Sequence, residues 1–306
     1  MKPDMWWKNF GLGMELDASG TFIYNGLKSF DELEGLNHAV DIFEVLYNLS
    51  IGIERLFKVA IILIEHNDSV SIEVFEESLM THNTMDLANR VNNHIELNYS
   101  GVHKEFLSLL SKFYKTHRYG RFSFSSVPNI DAEKTLFLEY IHKHLNINID
   151  DQGPFSYIHN TDQIKRFLGK IVKRISGTLF DIIDNKARGL NIYTYELRSD
   201  SKAIKIFWGL GDRLDFLDET QVKRELIMFL LDKKSSGDHL ELLRSFGSLD
   251  LDADSVPLHI KALLNDIHLP LVQGEVEQAY DEISNVKERF EMLGIMDNEH
   301  LSYGED

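Results

Sequence analysis

The chain has 306 residues, 43% of them apolar, enough for one large domain or two of ~150 residues with a real core. Lys and Arg number 32 against 49 Asp and Glu, and the net charge of -17 excludes a broad nucleic-acid-binding surface, so any phosphate contact needs a local basic island. Cysteine is absent, which excludes disulfides and thiolate metal sites and suits a cytosolic protein.

The first residues, Met1-Lys2-Pro3-Asp4-Met5-Trp6-Trp7-Lys8, lack the apolar core of a signal peptide. The longest apolar run, Val59 to Ile64, is far below the ~20 residues that span a bilayer. The expectation is a soluble, cytoplasmic protein with no membrane partner. Only five prolines interrupt the chain, which leaves room for long helices. The expected fold is therefore mainly α, a helical bundle followed by a second helical region. The expected divisions are an N-terminal segment over 1–35, a bundle over 36–125 and a C-terminal helical region over 130–300.

Within 1–35, Thr21-Phe22-Ile23-Tyr24-Asn25-Gly26 reads as a short strand and turn. From about Asp31 to His66 the pattern is helical, with Ile42, Leu46, Leu49, Ile53, Leu56, Ala60 and Leu63 at alternating four- and three-residue spacing. Shorter helices are predicted over Ser71 to Met80 and Asn83 to Leu97. Another is predicted from His103 to Arg121, its buried stripe made of Phe106, Leu109, Leu110 and Phe113. After a loop at 123–129, Asp131 is placed to cap the next helix. A long amphipathic helix runs from Asp162 to about Lys186. Residues 190–208 are rich in strand formers and predict a β-hairpin turning at Ser199-Asp200-Ser201, with a helix as the alternative. Helices follow at 219–234, 238–246, 255–268 and 271–293. The last carries a stripe from Val272 through Val276, Tyr280, Ile283 and Phe290 to Leu293, able to pack at home or against a protein partner.

Three segments carry what chemistry the chain shows. They are Gly52-Ile53-Glu54-Arg55-Leu56-Phe57-Lys58, Thr81-His82-Asn83-Thr84-Met85-Asp86-Leu87, and Phe113-Tyr114-Lys115-Thr116-His117-Arg118-Tyr119. Together they resemble the glycine-marked first helix, the short helix entered by Thr-His, and the aromatic, basic last helix of HEPN domains. The second segment has Asn and Thr where that family more often has an acidic residue and Leu. The resemblance covers roughly residues 35–122. It implies a stress- or phage-defence-associated protein of toxin–antitoxin type acting on RNA, without a cofactor, and commonly a homodimer. Catalysis, if present, would be metal-independent cleavage, in which Arg steadies phosphate charge and His moves a proton.

The ribonuclease members have four to six residues between an Arg and a downstream His, and this chain departs from that. Arg90 and His94 have three residues between them, and Arg118 and Arg121 have no His downstream in reach. What remains is Tyr114, His117, Arg118 and Arg121 at i, i+3, i+4 and i+7, one helix face able to hold phosphate and stack a base. His117 and Arg118 are the candidate catalytic pair; Tyr114, Arg121, Arg90 and His94 are candidates for RNA or nucleotide binding. The bland alternative is a set of cations dressing a helix C-terminus. Arg90 and His94 also fit a surface pair, His82 a helix-entry residue, and Glu54 with Lys58 an exposed i, i+4 salt bridge. The second function class is a non-catalytic interaction, dimerisation or nucleotide-binding module.

Other motifs fail. His142 and His144 sit two apart, on different helix faces. Gly11-Leu12-Gly13 and Gly209-Leu210-Gly211 lack the third glycine of a dinucleotide loop. No metal site is expected.

Overall fold

The computed structural model describes residues 6–66, 71–117, 131–147, 157–192, 201–209, 211–265 and 269–297. It is mainly α-helical, with no strand among the described residues. The chain divides into two compact units, Met1–Phe216 and Leu217–Asp306.

The first unit is built on α1 (Leu12–Glu32), α2 (Ala39–Glu65), α3 (Ile72–Ser78), α4 (Thr84–Asn92) and α5 (Gly101–Lys112). It is completed by α6 (Ala132–Leu145), α7 (Asp162–Gly189) and α8 (Lys202–Trp208). A π-helical turn at Trp7–Gly11 leads into α1, and another at Phe113–His117 ends α5. α2 is the axle and packs on α1, α4, α5, α6 and α7. Its expected stripe is fully covered: Ile42, Leu46, Leu49, Ile53, Leu56 and Ala60 show no exposure, and Leu63 shows 6%. A helix buried on several sides needs apolar residues beyond one stripe, and Val45, Phe57, Val59, Ile61 and Ile62 supply them. The α5 stripe Phe106, Leu109, Leu110 and Phe113 is buried as expected. In α7, Ile164, Leu168, Ile171, Val172, Ile175, Leu179 and Ile183 face the core, and Thr161 caps the start by accepting from the Ile164 N–H. Helices on either side of residues 125–130 thus share one core.

Two expectations are overturned in the first unit. Thr21 to Gly26 is not a strand and turn but the middle of α1. There Gly20 and Gly26 serve close helix packing instead of breaking the chain, Gly20 against Ala203 of α8 and Gly26 against Leu49 of α2. The facing glycine, Gly52 of α2, lets α1 approach so closely that a Cβ there would meet Ile23 Cγ1 at 2.7 Å and the Ser19 carbonyl at 2.9 Å. The Ser19 hydroxyl donates to the Gly52 carbonyl at 2.8 Å across this crossing. The second half of the expected hairpin is also wrong, because Ala203 to Trp208 lie in α8. Ser201 caps it through the Ala203 N–H at 3.1 Å, and Ala203, Ile206 and Phe207 fall on one buried helical face. Spacing overrides the β propensity of those side chains. Residues 193–200, the rest of that hairpin, lie outside the described residues.

The second unit contains α9 (Leu217–Leu231), α10 (Asp238–Ser245), α11 (Val256–Asn265), α12 (Pro270–Asp281) and α13 (Val286–Leu293). The single helix expected over 271–293 is broken after Asp281. Asn285 stands at the N-cap of α13, and its side-chain amide donates to the Glu288 carboxylate. Ser255, His259 and Glu275 tie α11 to α12: the His259 imidazole lies 2.8 Å from Glu275 Oε2, and the Ser255 hydroxyl donates to the same oxygen at 2.7 Å. Those two bonds, the histidine first, hold the Glu275 carboxyl below the usual range. No described helix is long and apolar enough to cross a membrane.

Candidate functional site

The side chains of α2 that miss the core stripe form a second row, Tyr47, Ile51, Glu54 and Lys58, at i, i+4, i+7 and i+11. This row faces a groove of about 640 Å3, whose walls also include Trp7, Glu15, Phe22, Arg55, His82 and Tyr114. Two short segments bring in the last pair. The loop before α4 delivers His82, and it is held because Thr84 donates to the Leu107 carbonyl of α5 at 2.8 Å while Asn83 caps α4. The π-helical turn after α5 delivers Tyr114, whose ring centroid lies 4.5 Å from that of His82.

Glu54 organises this corner. It is 7% exposed, so its carboxylate needs donors. Lys58 Nζ supplies one at 2.7 Å, and His82 Nδ1 lies 3.1 Å from both oxygens. A carboxylate on Nδ1 favours the tautomer that carries its proton there, and so makes Nε2 the nitrogen able to accept a proton from a ligand. The His82 side chain is 56% exposed, so the ring is reachable. Nearby, Arg55 pairs with Glu15 and lies 5.9 Å over the Phe22 ring. The groove therefore offers aromatic surface for a base, two cations already paired with carboxylates, and one oriented imidazole.

The sequence-derived candidates fall in different places. Tyr114 lines the groove. The backbone of His117 closes the π-helical turn; its side chain, and all of Arg118 and Arg121, lie outside the described residues. Arg90 and His94 do sit together, but on the carboxylate of Glu65. Arg90 donates to it through Nε at 2.9 Å and Nη2 at 2.6 Å, and gives further bonds to the Ser78 carbonyl and hydroxyl. His94 Nε2 is 3.2 Å from Glu65 Oε1. This forked pair ties α4 to the end of α2 and to α3, and it occupies the guanidinium that a phosphate would need.

Spacing alone undervalued Glu54. It was legible only as half of an exposed i, i+4 pair, whereas in the fold it is 7% exposed and bonded to both Lys58 and His82. The available signal was a charged residue in the most apolar helix of the chain, beside Gly52.

His142 Nδ1 lies 2.6 Å from the Ile147 carbonyl while His144 reaches Glu105 at 2.9 Å, so the two point to different partners. Bonding first from Lys143, then from His144, holds the Glu105 carboxyl low. Among the described residues no group of three or more His, Asp or Glu is placed to hold a metal ion. Compared with known proteins, the chain matches no family model, no curated protein and no solved structure.

Proposed function

We propose that the protein is a HEPN-like, stress- or phage-defence-associated protein that acts on RNA, and that RNA enters the groove beside α2. The observation that supports this most is the Glu54–His82 pair, an imidazole oriented by a buried carboxylate and laid against Tyr114 in a groove that also carries Lys58 and Arg55. In a metal-independent cut, His82 Nε2 takes the 2′-hydroxyl proton as that oxygen attacks the adjacent phosphorus. The departing 5′-oxygen needs a proton in return, and His117, one turn beyond Tyr114, is the candidate donor. Arg118 and Arg121, which follow it in sequence, are the further candidates for phosphate.

A second reading is favoured by one observation: Lys58 and Arg55 each already pair with a carboxylate. Cations so engaged do not supply the charge that cleavage needs, just as Arg90 does not, which leaves the aromatic walls Phe22 and Tyr114 to hold a base. Incubating purified protein with total RNA in EDTA separates the two. Cleavage that falls at least about a hundredfold in His82→Ala and in His117→Ala supports RNA cutting. Intact RNA, with a mononucleotide held by the wild type and released by Tyr114→Ala, supports the second reading. Intact RNA and no nucleotide binding sinks both.

A further inference from the structure

We infer that the first unit carries a second ligand site, separate from the groove beside α2, and that it takes a free α-amino acid with an apolar side chain.

The site is a pocket of about 400 Å3 between α4 and α5, and it shares no lining residue with the groove. α4 contributes Met85, Asn89 and Asn92, at i, i+4 and i+7 on one helix face. α5 adds Lys104 and, one turn on, Leu107. The loop joining the two helices supplies Glu96, Leu97 and Tyr99. Asn92 fixes that loop by accepting the Leu97 N–H on its side-chain oxygen at 3.0 Å, which leaves its two amide hydrogens to donate. Asn98 then turns the chain in the left-handed region, φ 51°, which Asn adopts more readily than most residues. Tyr99, 7% exposed, donates its hydroxyl to the Ile175 carbonyl of α7 at 3.0 Å. The walls are thus held by the protein's own bonds, as a pre-formed ligand pocket requires.

The lining selects the occupant. Its charged side chains are Glu96 and Lys104. Neither makes an ion pair or a side-chain hydrogen bond among the described residues, although the next residue, Glu105, engages both Lys143 and His144. A carboxylate and an ammonium that share a pocket without meeting match a molecule that carries both signs itself. The ammonium of an α-amino acid pairs with Glu96 and its carboxylate with Lys104, while the Asn92 amide donates to the second carboxylate oxygen. Met85, Leu97 and Leu107 offer hydrocarbon to the ligand's side chain. Other classes of ligand fit less well. A polyanion would bring phosphate against Glu96 on a chain of net charge -17. A sugar would use neither charge, and a fatty acid would leave Glu96 unmatched.

Titration calorimetry of the full chain with L-leucine, L-methionine and L-phenylalanine tests this. At least one should bind, with a Kd in roughly the micromolar to millimolar range expected of so small a ligand. Two analogues of leucine each keep one charge, 4-methylpentanoate the carboxylate and 3-methylbutylamine the ammonium. Each should compete at least about tenfold less well than leucine, and glycine, which lacks the apolar side chain, should do the same. Glu96→Gln and Lys104→Met should each weaken the amino acid at least about tenfold, with an unchanged circular dichroism spectrum because both side chains are exposed. Glu96→Gln should also erase the preference for leucine over 4-methylpentanoate, and Lys104→Met the preference over 3-methylbutylamine. Tyr114→Ala, in the groove, should leave amino-acid binding as it is, so this site and the groove are tested separately. No binding by any of the three amino acids overturns the inference. So does an analogue with one charge that competes as well as leucine, or binding that is indifferent to both pocket variants.

Discussion

The two units of this chain are stabilised in different ways. In the first, Phe30, Phe57, Phe106, Phe113 and Phe137 are essentially completely buried, and α2 is surrounded. In the second, Ala279 is the one buried residue among those described, while Leu217, Leu231, Leu263, Leu271 and Phe290 each exceed half exposure. Both segments are helical and both are rich in leucine. The difference shows that helix-forming sequence is not the same as a core: burial of a face against neighbours, not propensity, supplies most of the stability of a helix.

That contrast can be broken outright by hydrogen exchange. Amides in the middle of α2 should be protected at least about a thousandfold more than those of α9, a difference of about 4 kcal/mol in opening free energy. Equal protection in the two helices would show that the second unit is as well packed as the first. Truncation tests the same point chemically. Phe106→Ala should cost about 3–5 kcal/mol in denaturant unfolding, whereas Leu263→Ala should change stability by no more than about 0.5 kcal/mol. A large loss at Leu263 would mean that its apolar surface is already covered in solution.

Glycines sharpen the picture inside the first unit. Gly52→Ala places a methyl group against Ile23 and the Ser19 carbonyl and should destabilise by about 1–3 kcal/mol. Gly177→Ala in α7 meets nothing within 4 Å and should stabilise by up to about 1 kcal/mol. If both substitutions stabilise, the α1–α2 crossing is looser than described.

The smallest effect is a pair of opposite acid responses. Glu275 in the second unit has a folded-state pKa held down by His259 and Ser255. Its stabilisation is present above its ordinary value of 4.5 and is lost as pH falls through the lowered folded value. Asp31 in the first unit is pushed up, chiefly by burial, so it costs stability once pH rises through its folded pKa and ceases to do so in acid. Glu275→Gln should therefore flatten the acid side of the stability profile. Asp31→Asn should stabilise near pH 7 and have no effect at pH 3, below the ordinary Asp value. Thermal melts across pH 3–7 read both, and a reversed sign at either residue refutes the cause assigned to it.

Much of the fold was legible in the sequence because helices announce themselves through periodicity. The stripes of α2, α5 and α7 could be read residue by residue, and their burial follows from it. Less legible were α1 and α8. In α1 the glycines and serine that permit close helix crossing look like chain breakers, and in α8 the short run of Ile, Phe and Trp looks like a strand until Ser201 caps it. The site divides in the same way. Helical spacing singled out Tyr114, which lines the groove, and it also suggested Arg90 with His94, whose convergence on Glu65 from a different helix has no trace in local pattern. Glu54 with His82 joins positions 28 residues apart through a loop whose path is set by the bond from Thr84 of α4 to Leu107 of α5.

Sequence alone determined that the chain is helical, acidic and without cysteine, and which faces of its long helices turn inward, since those properties depend on composition and on neighbours three or four residues away. Tertiary structure decided which charges are buried, which carboxylate stands behind His82, and that Arg90 and His94 meet on Glu65. Each of those depends on residues distant in sequence meeting in space, and no local period records such a meeting.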